Sequence, residues 1–263
     1  MSDSVDNRVL AALRCVDRAT GYILTRSLEV SSNNAKFIRN RSNLYVIQST
    51  TNLEHHIDKF SEAPDIPEVE SIEVKVNIAD PLNKYLPRSF KIKLPRDSDI
   101  KKSTDDSSIY SPVNVKLYSA PNQDLMTNWS TVRVSVTRTL NDGKIQPVLG
   151  ALVRIIRVSD EVTLSSGISD ERGESLIIIS GVPITQFSDE ESDERGLGNR
   201  RERDLTVVVS ELQTRLEVSY VSDQNWPVDP DFLESKHNDN TVKTVDLKLR
   251  TGRMEKMNIE LND

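Results

Sequence analysis

An all-β chain, built as two antiparallel β-sandwich domains in tandem, is the fold the sequence predicts, and three observations predict it. The first is strict alternation of apolar and polar residues, as in Ile72, Val74, Val76 and Ile78 set against Glu73, Lys75 and Asn77. Such a run gives one apolar and one charged face, which a half-buried antiparallel strand needs. The second is weak helical periodicity, with Gly, Pro, Asn and Asp punctuating the runs at short intervals. The third is composition. Apolar residues make up 36 % of the 263 residues and charged residues 29 %, which suits two thin cores with much surface better than one thick core.

The elements follow in chain order. Val9–Val16 is an apolar run entering the turn Asp17–Gly21; Ala11 and Ala12 would also permit a helix over Val5–Cys15, and the strand is favoured. Asn52–Phe60 stays open between helix and strand. Alternation returns at Phe90, Ile92 and Leu94, and at Val113, Val115 and Leu117, with Pro95–Ser111 between them expected as an exposed loop. These strands form a first domain over residues 1–120, and the polar stretch Ser119–Thr127 supplies a linker at 121–127. A second domain, 128–263, opens with Val132, Val134 and Val136. Leu152–Val158, a turn at Ser159–Glu161 and a strand ending at Ile168 come next; Ser169–Gly173 then reads as a five-residue hairpin loop before the strand Glu174–Ile179. Residues 188–204 form a charged insertion, and Asp223–Asn240 a loop broken by Pro227 and Pro230. The last strands, around Val245–Leu249 and Met257–Leu261, read as a hairpin about Thr251-Gly252-Arg253 that completes its own sheet or adds to a neighbour's.

Two resemblances accompany this pattern. Pro147, Gly150, Ala151 and Val153, followed by Ser169, Asp170 and Gly173, resemble the strand-and-turn signature of the carboxypeptidase regulatory-like domain, a transthyretin-like β-sandwich. The resemblance implies an accessory or spacer fold with no catalytic residues of its own. The strings Phe37–Ile47, Tyr85–Asp97 and Pro112–Pro121 are similar to proteins encoded beside phage-tail-like contractile injection systems. That similarity implies a structural part of the particle, at its cap or its baseplate.

The residues that could carry chemistry give no constellation for it. His55 and His56 are adjacent, so on a strand they face opposite ways, and His237 stands in a polar loop; neither arrangement has metal-ligand spacing. Cys15 is expected as a buried structural thiol. No nucleophile elbow and no phosphate-binding loop occurs, so neither catalysis nor a cofactor is expected. The acidic groups Asp170, Glu171 and Glu174, then Asp189–Glu194, then Asp229, Asp231 and Asp239, lack calcium-loop spacing and read as solvated loops. Net charge is −7 without a basic stripe, so nucleic acid is not an expected partner. No signal-peptide pattern and no apolar run of spanning length is present, so a cytoplasmic protein without membrane insertion is expected, assembled into a particle.

Interface candidates remain. Arg195, Arg200, Arg201 and Arg203 follow five acids in the insertion, which is either a self-neutralising disordered loop or an arm that orders against a neighbouring subunit. Trp226, flanked by polar residues and prolines, is either a lid over its own core edge or an anchor for a partner. The expected function is therefore non-enzymatic. The chain would be a ring-forming homo-oligomeric component contacting sheath, tube or cap subunits. The alternative is a cell-surface module that binds carbohydrate or peptide.

Overall fold

The structure is a computed structural model that describes residues 9–51, 53, 67–140, 142–182, 185–186, 208–209, 211–222 and 224–261. It is all-β: among the described residues the helical elements are one short α-helix, α1 (Pro230–Ser235), and the 3-10 turns Ile100–Lys102 and His237–Asp239. Asn52–Phe60 lies outside the described residues except for Leu53, which is buried.

The first strands are β1 (Ala11–Asp17), β2 (Glu29–Ser31), β3 (Ala35–Arg39), β4 (Tyr45–Thr50), β5 (Ile72–Ala79), β6 (Arg88–Leu94) and β7 (Val113–Leu117). They form two sheets, in the orders β3-β4-β1-β7 and β2-β5-β6. The run beginning at Val9 is thus a strand from Ala11 onward. Its alternation sends Ala11, Leu13 and Cys15 into the core beside Ile47, Val76, Leu94 and Leu117. Leu13, Ile47, Val76, Leu94 and Leu117 each stabilise the fold by about 1.5–3 kcal/mol on burial, and the smaller Ala11 by less.

The second set comprises β8 (Ser130–Thr139), β9 (Ile145–Pro147), β10 (Leu152–Arg157), β11 (Val162–Ile168), β12 (Glu174–Ile179), β15 (Leu212–Ser219), β16 (Thr241–Leu249) and β17 (Met254–Leu261), with a short ribbon of β13 (Thr185–Gln186) and β14 (Val208–Val209). Its sheets run β11-β10-β15-β16 and β12-β8-β17, with β9 continuing the β12 side of β8. Val132, Val134, Val136, Val153, Ile155, Ile177, Leu216, Val218 and Ile259 fill the space between them.

The two sets share one topology. In each, the first strand lies beside the last and parallel to it, β1 with β7 and β8 with β17. The triplet β4-β1-β7 corresponds to β12-β8-β17, and β2-β5-β6 to β10-β15-β16. Only the third strand changes sheet: β3 pairs with β4, whereas β11 pairs with β10. Local turn chemistry decides this. The Asn40 side chain accepts from the amides of Ser42 and Leu44, and Asn43 takes φ 60°, which closes a tight β3–β4 hairpin. In the second set the tight turn comes one connection earlier, at Val158–Glu161, where Glu161 takes φ 58°.

Four expectations need correction. Ser169–Gly173 is not a hairpin loop; it is an arch that carries the chain from the sheet of β11 to the opposite sheet of β12. The last two strands are likewise not a hairpin, because β16 pairs with β15 while β17 pairs with β8 across the sandwich. Alternation names the buried face of a strand but not its partner, so both crossings were invisible to it. Pro95–Ser111 is not simply exposed. Arg96 is buried, its Nε donates to the Ser108 carbonyl at 3.1 Å, and another guanidinium nitrogen reaches the Asp106 carbonyl. The start of the linker stretch is packed too: Ser119 and Ala120 are buried, and the Ala120 amide donates to the Lys84 carbonyl at 2.9 Å.

Candidate functional site

The segment between β15 and β16 is where the two strand sets meet. Its sequence "NWPVDPDFLES" carries a helix-start signal, an Asp followed by Pro. Asp229 is the N-cap: extended at φ −97°, it accepts the Asp231 amide on its side chain, and Pro230 occupies the first turn, where a missing N–H costs nothing. The resulting α1 is a wedge. Val228 and Leu233 pack with Leu86, Tyr118 and Ala120 from the first set and with Leu152 and Ile168 from the outer face of the β11-β10-β15-β16 sheet. Trp226 lies half-buried against the same cluster.

Polar groups fix the wedge from the first set. The Ser89 amide donates to the Val228 carbonyl at 3.0 Å and its hydroxyl to the Pro227 carbonyl at 2.9 Å, so the edge of β6 is covered by this segment. Arg88 is 2 % exposed. Its Nη1 donates to the Lys116 carbonyl at 2.6 Å, its Nη2 to Asp231 at 2.7 Å with Asp229 at 3.6 Å, and its guanidinium lies over the Phe90 ring. Glu234 accepts from the Tyr118 hydroxyl at 2.8 Å and the Ser166 hydroxyl at 3.3 Å, with Arg18 Nε at 3.5 Å. Burial works against ionisation of Glu234, but the Tyr118 bond together with Arg18, Lys116 and Ser166 outweighs it and holds the carboxyl below its usual range. Asp229 goes the other way: burial raises it, and Arg88 offsets that only in part while Asp231 adds to it.

A second cluster closes the segment. His237 is 1 % exposed; its Nδ1 lies 2.9 Å from the Ser219 hydroxyl and its Nε2 2.7 Å from Glu217. Glu217 also receives Arg215, which holds Glu161 as well. Serine, histidine and carboxylate in one hydrogen-bonded row are the components of a nucleophilic triad. Here Ser219 is 2 % exposed, so its hydroxyl is sealed from any substrate carbonyl, and the row acts as a staple holding residue 237 to β15. His237 is therefore not a loop histidine in solvent. The acids Asp229 and Asp231 are likewise not free solvated groups, for they cap α1 and hold Arg88.

Cys15 is buried among apolar side chains, which pushes its thiol up to about 12, with Arg88 and Arg39 acting weakly against the shift. Asp170 is a turn residue: its carboxylate accepts the amides of Arg172 and Glu174, both at 2.9 Å. Arg195, Arg200, Arg201, Arg203, His55, His56 and Asp189–Glu194 lie outside the described residues. Arg88, Tyr118 and Glu234 were not singled out from sequence. The Asp229-Pro230 signal could have found the helix, but nothing local announces what α1 packs against.

No family model and no curated protein matches the chain. Among solved structures it is similar to GBS52, the minor pilin of the gram-positive pathogen Streptococcus agalactiae, at 7 % identity over 96 % of both chains with a TM-score of 0.29. It is also similar to the Bacillus anthracis TIE protein, at 8 % identity and a TM-score of 0.26, over 97 % of this chain and 34 % of that one. At these scores neither carries an argument about function.

Proposed function

We propose that the protein is a non-enzymatic assembly component of a phage-tail-like contractile injection particle, placed at its cap or baseplate end and acting through protein–protein contacts. One observation supports the reading: the wedge joins the two sandwiches through a buried apolar cluster and a buried arginine. Domains in one chain move against each other unless their interface is well buried. A joint of this kind transmits load and fixes the spacing of two surfaces, which a particle component needs and a flexible tether cannot supply. Resemblance of the N-terminal strings and of the Pro147–Gly173 signature adds the particle and the accessory-domain character.

The test is negative-stain imaging of purified native particles from cells expressing a labelled copy of the chain. Label at one particle end is the expected result. Particles that never carry the label, while carrying labelled sheath in the same experiment, would sink the reading.

A further inference from the structure

The outer face of the β12-β8-β17 sheet carries a shallow groove floored by β8 and rimmed by β12 and β17. In the parallel β8–β17 pair Lys256 stands directly opposite Arg133. Like charges set opposite each other on neighbouring strands are destabilising. Several cations elsewhere on this sandwich are matched, Arg157 by Asp160, Arg172 by Asp170, Arg215 by Glu161 and Glu217, and Arg250 by Glu211, while Arg138 and Arg154 bond the neutral side chains of Gln146 and Thr163. Arg133 and Lys256 form no ion pair among the described residues. Ser135 and Asn258 continue the groove with hydrogen-bonding groups, Met254 gives it an apolar end at 42 % exposure, and Glu174 is its one carboxylate.

We infer that this groove docks an acidic polypeptide segment, and that the segment is the acidic run of a second copy of this chain. The complementarity is on the sequence. Ser188–Glu194 holds Asp189, Glu190, Glu191, Asp193 and Glu194, five acids in seven residues. An extended acidic segment can place alternate carboxylates toward one face at about 6.4–6.8 Å intervals, a spacing that two flexible cationic side chains on adjacent strands can span by splaying apart, with the serine and asparagine beyond them. β17 is the outermost strand of its sheet, so among the described residues no further strand flanks the groove on that side. The inference rests on the assembly reading for the kind of partner, another subunit, and supplies the contact between copies.

The experiment is sedimentation velocity on the full chain over a concentration series at low and high salt. Self-association that weakens with salt is expected, since exposed ion pairs are screened. Arg133→Glu with Lys256→Glu should weaken it by about tenfold or more, as should Asp189→Lys with Glu191→Lys, and the fourfold charge swap should restore it. Lys256→Gln, a milder change at an exposed position, should weaken it in the same direction. A synthetic peptide of residues 188–194 should compete. A chain that stays monomeric at every concentration overturns the inference, including the case where the peptide binds a monomer; so does association indifferent to both charge reversals. Label on particles from a chain that is monomeric would discard this contact and leave the assembly reading standing.

Discussion

Residue identity matters most at the arch between β11 and β12. Ser169 is fully buried and its hydroxyl bridges the Val148 carbonyl and the Ala151 amide at 2.6 and 2.8 Å. Gly173 takes φ +74°, and a Cβ there would lie 2.4 Å from the Val136 carbonyl oxygen. Both demands fall on one position, so Gly173→Ala should cost about 3 kcal/mol or more, from left-handed strain plus a forced backbone shift. Gly143 has a similar φ of +79° with open space around it. Gly143→Ala should therefore cost only about 1–2 kcal/mol. Urea unfolding of the two variants checks the difference, and equal losses would show that the close approach to Val136 carries no weight. Glu234 gives a pH prediction. Its carboxyl is held below the usual range in the fold, so its contribution is present above the unfolded value of 4.5 and is lost as pH falls through the folded value. Glu234→Gln should lower stability at pH 7 and flatten this part of the acid limb. Asp229, raised in the fold, contributes in the opposite sense and survives in the variant. Unfolding free energies from pH 3 to pH 7 read both slopes.

Among the elements, β17 is the informative one. It joins β8 in parallel over Met254–Leu261 and sends Ile259 and Leu261 into the core. Removing residues 254–263 would strip both from the sandwich and expose the inner edge of β8. Loss of two large aliphatics costs roughly 4–10 kcal/mol at 2–5 each, comparable to the whole stability of a small domain. The truncated chain should lose the second sandwich's share of the cooperative unfolding, seen by circular dichroism as a transition of smaller amplitude and lower midpoint than that of the full chain. A truncated chain that melts as the full one does would mean that β17 is an appendage. Legibility followed the same lines. The strand of each alternating run, and the apolar side it buries, could be read from Ile72–Ile78, Val132–Val136 or Val245–Leu249. Which strand each one joins could not, because β16 and β17 are neighbours in sequence yet sit in opposite sheets.

At the scale of the molecule, the wedge should couple the two sandwiches thermally. Leu233 is 2 % exposed and contacts both sides through its cluster. Leu233→Ala removes that contact at a cost of about 2–5 kcal/mol. Calorimetry of the native chain should give one transition, and the variant two, with each sandwich melting independently. Two transitions in the unaltered chain would show that the joint does not couple them.

The sequence by itself determined the class of structure. Period-two alternation, sparse aromatics and frequent turn residues leave few alternatives to thin β-sandwiches, because alternation is a local property that each strand carries alone. It also marked Cys15 as a core thiol and Asp170 and Gly173 as turn residues, since those roles follow from near neighbours. Tertiary structure alone decided that Ser169–Gly173 and Thr251–Arg253 cross between sheets, that β1 and β8 run parallel to the last strands of their sets, and that "WPVDPDFLES" is a wedge. Arg88 and Asp231 meet across 143 positions of chain, as do Tyr118 and Glu234 across 116. Pairings at that separation are fixed by which buried surfaces fit together, and no local pattern of residues records that choice.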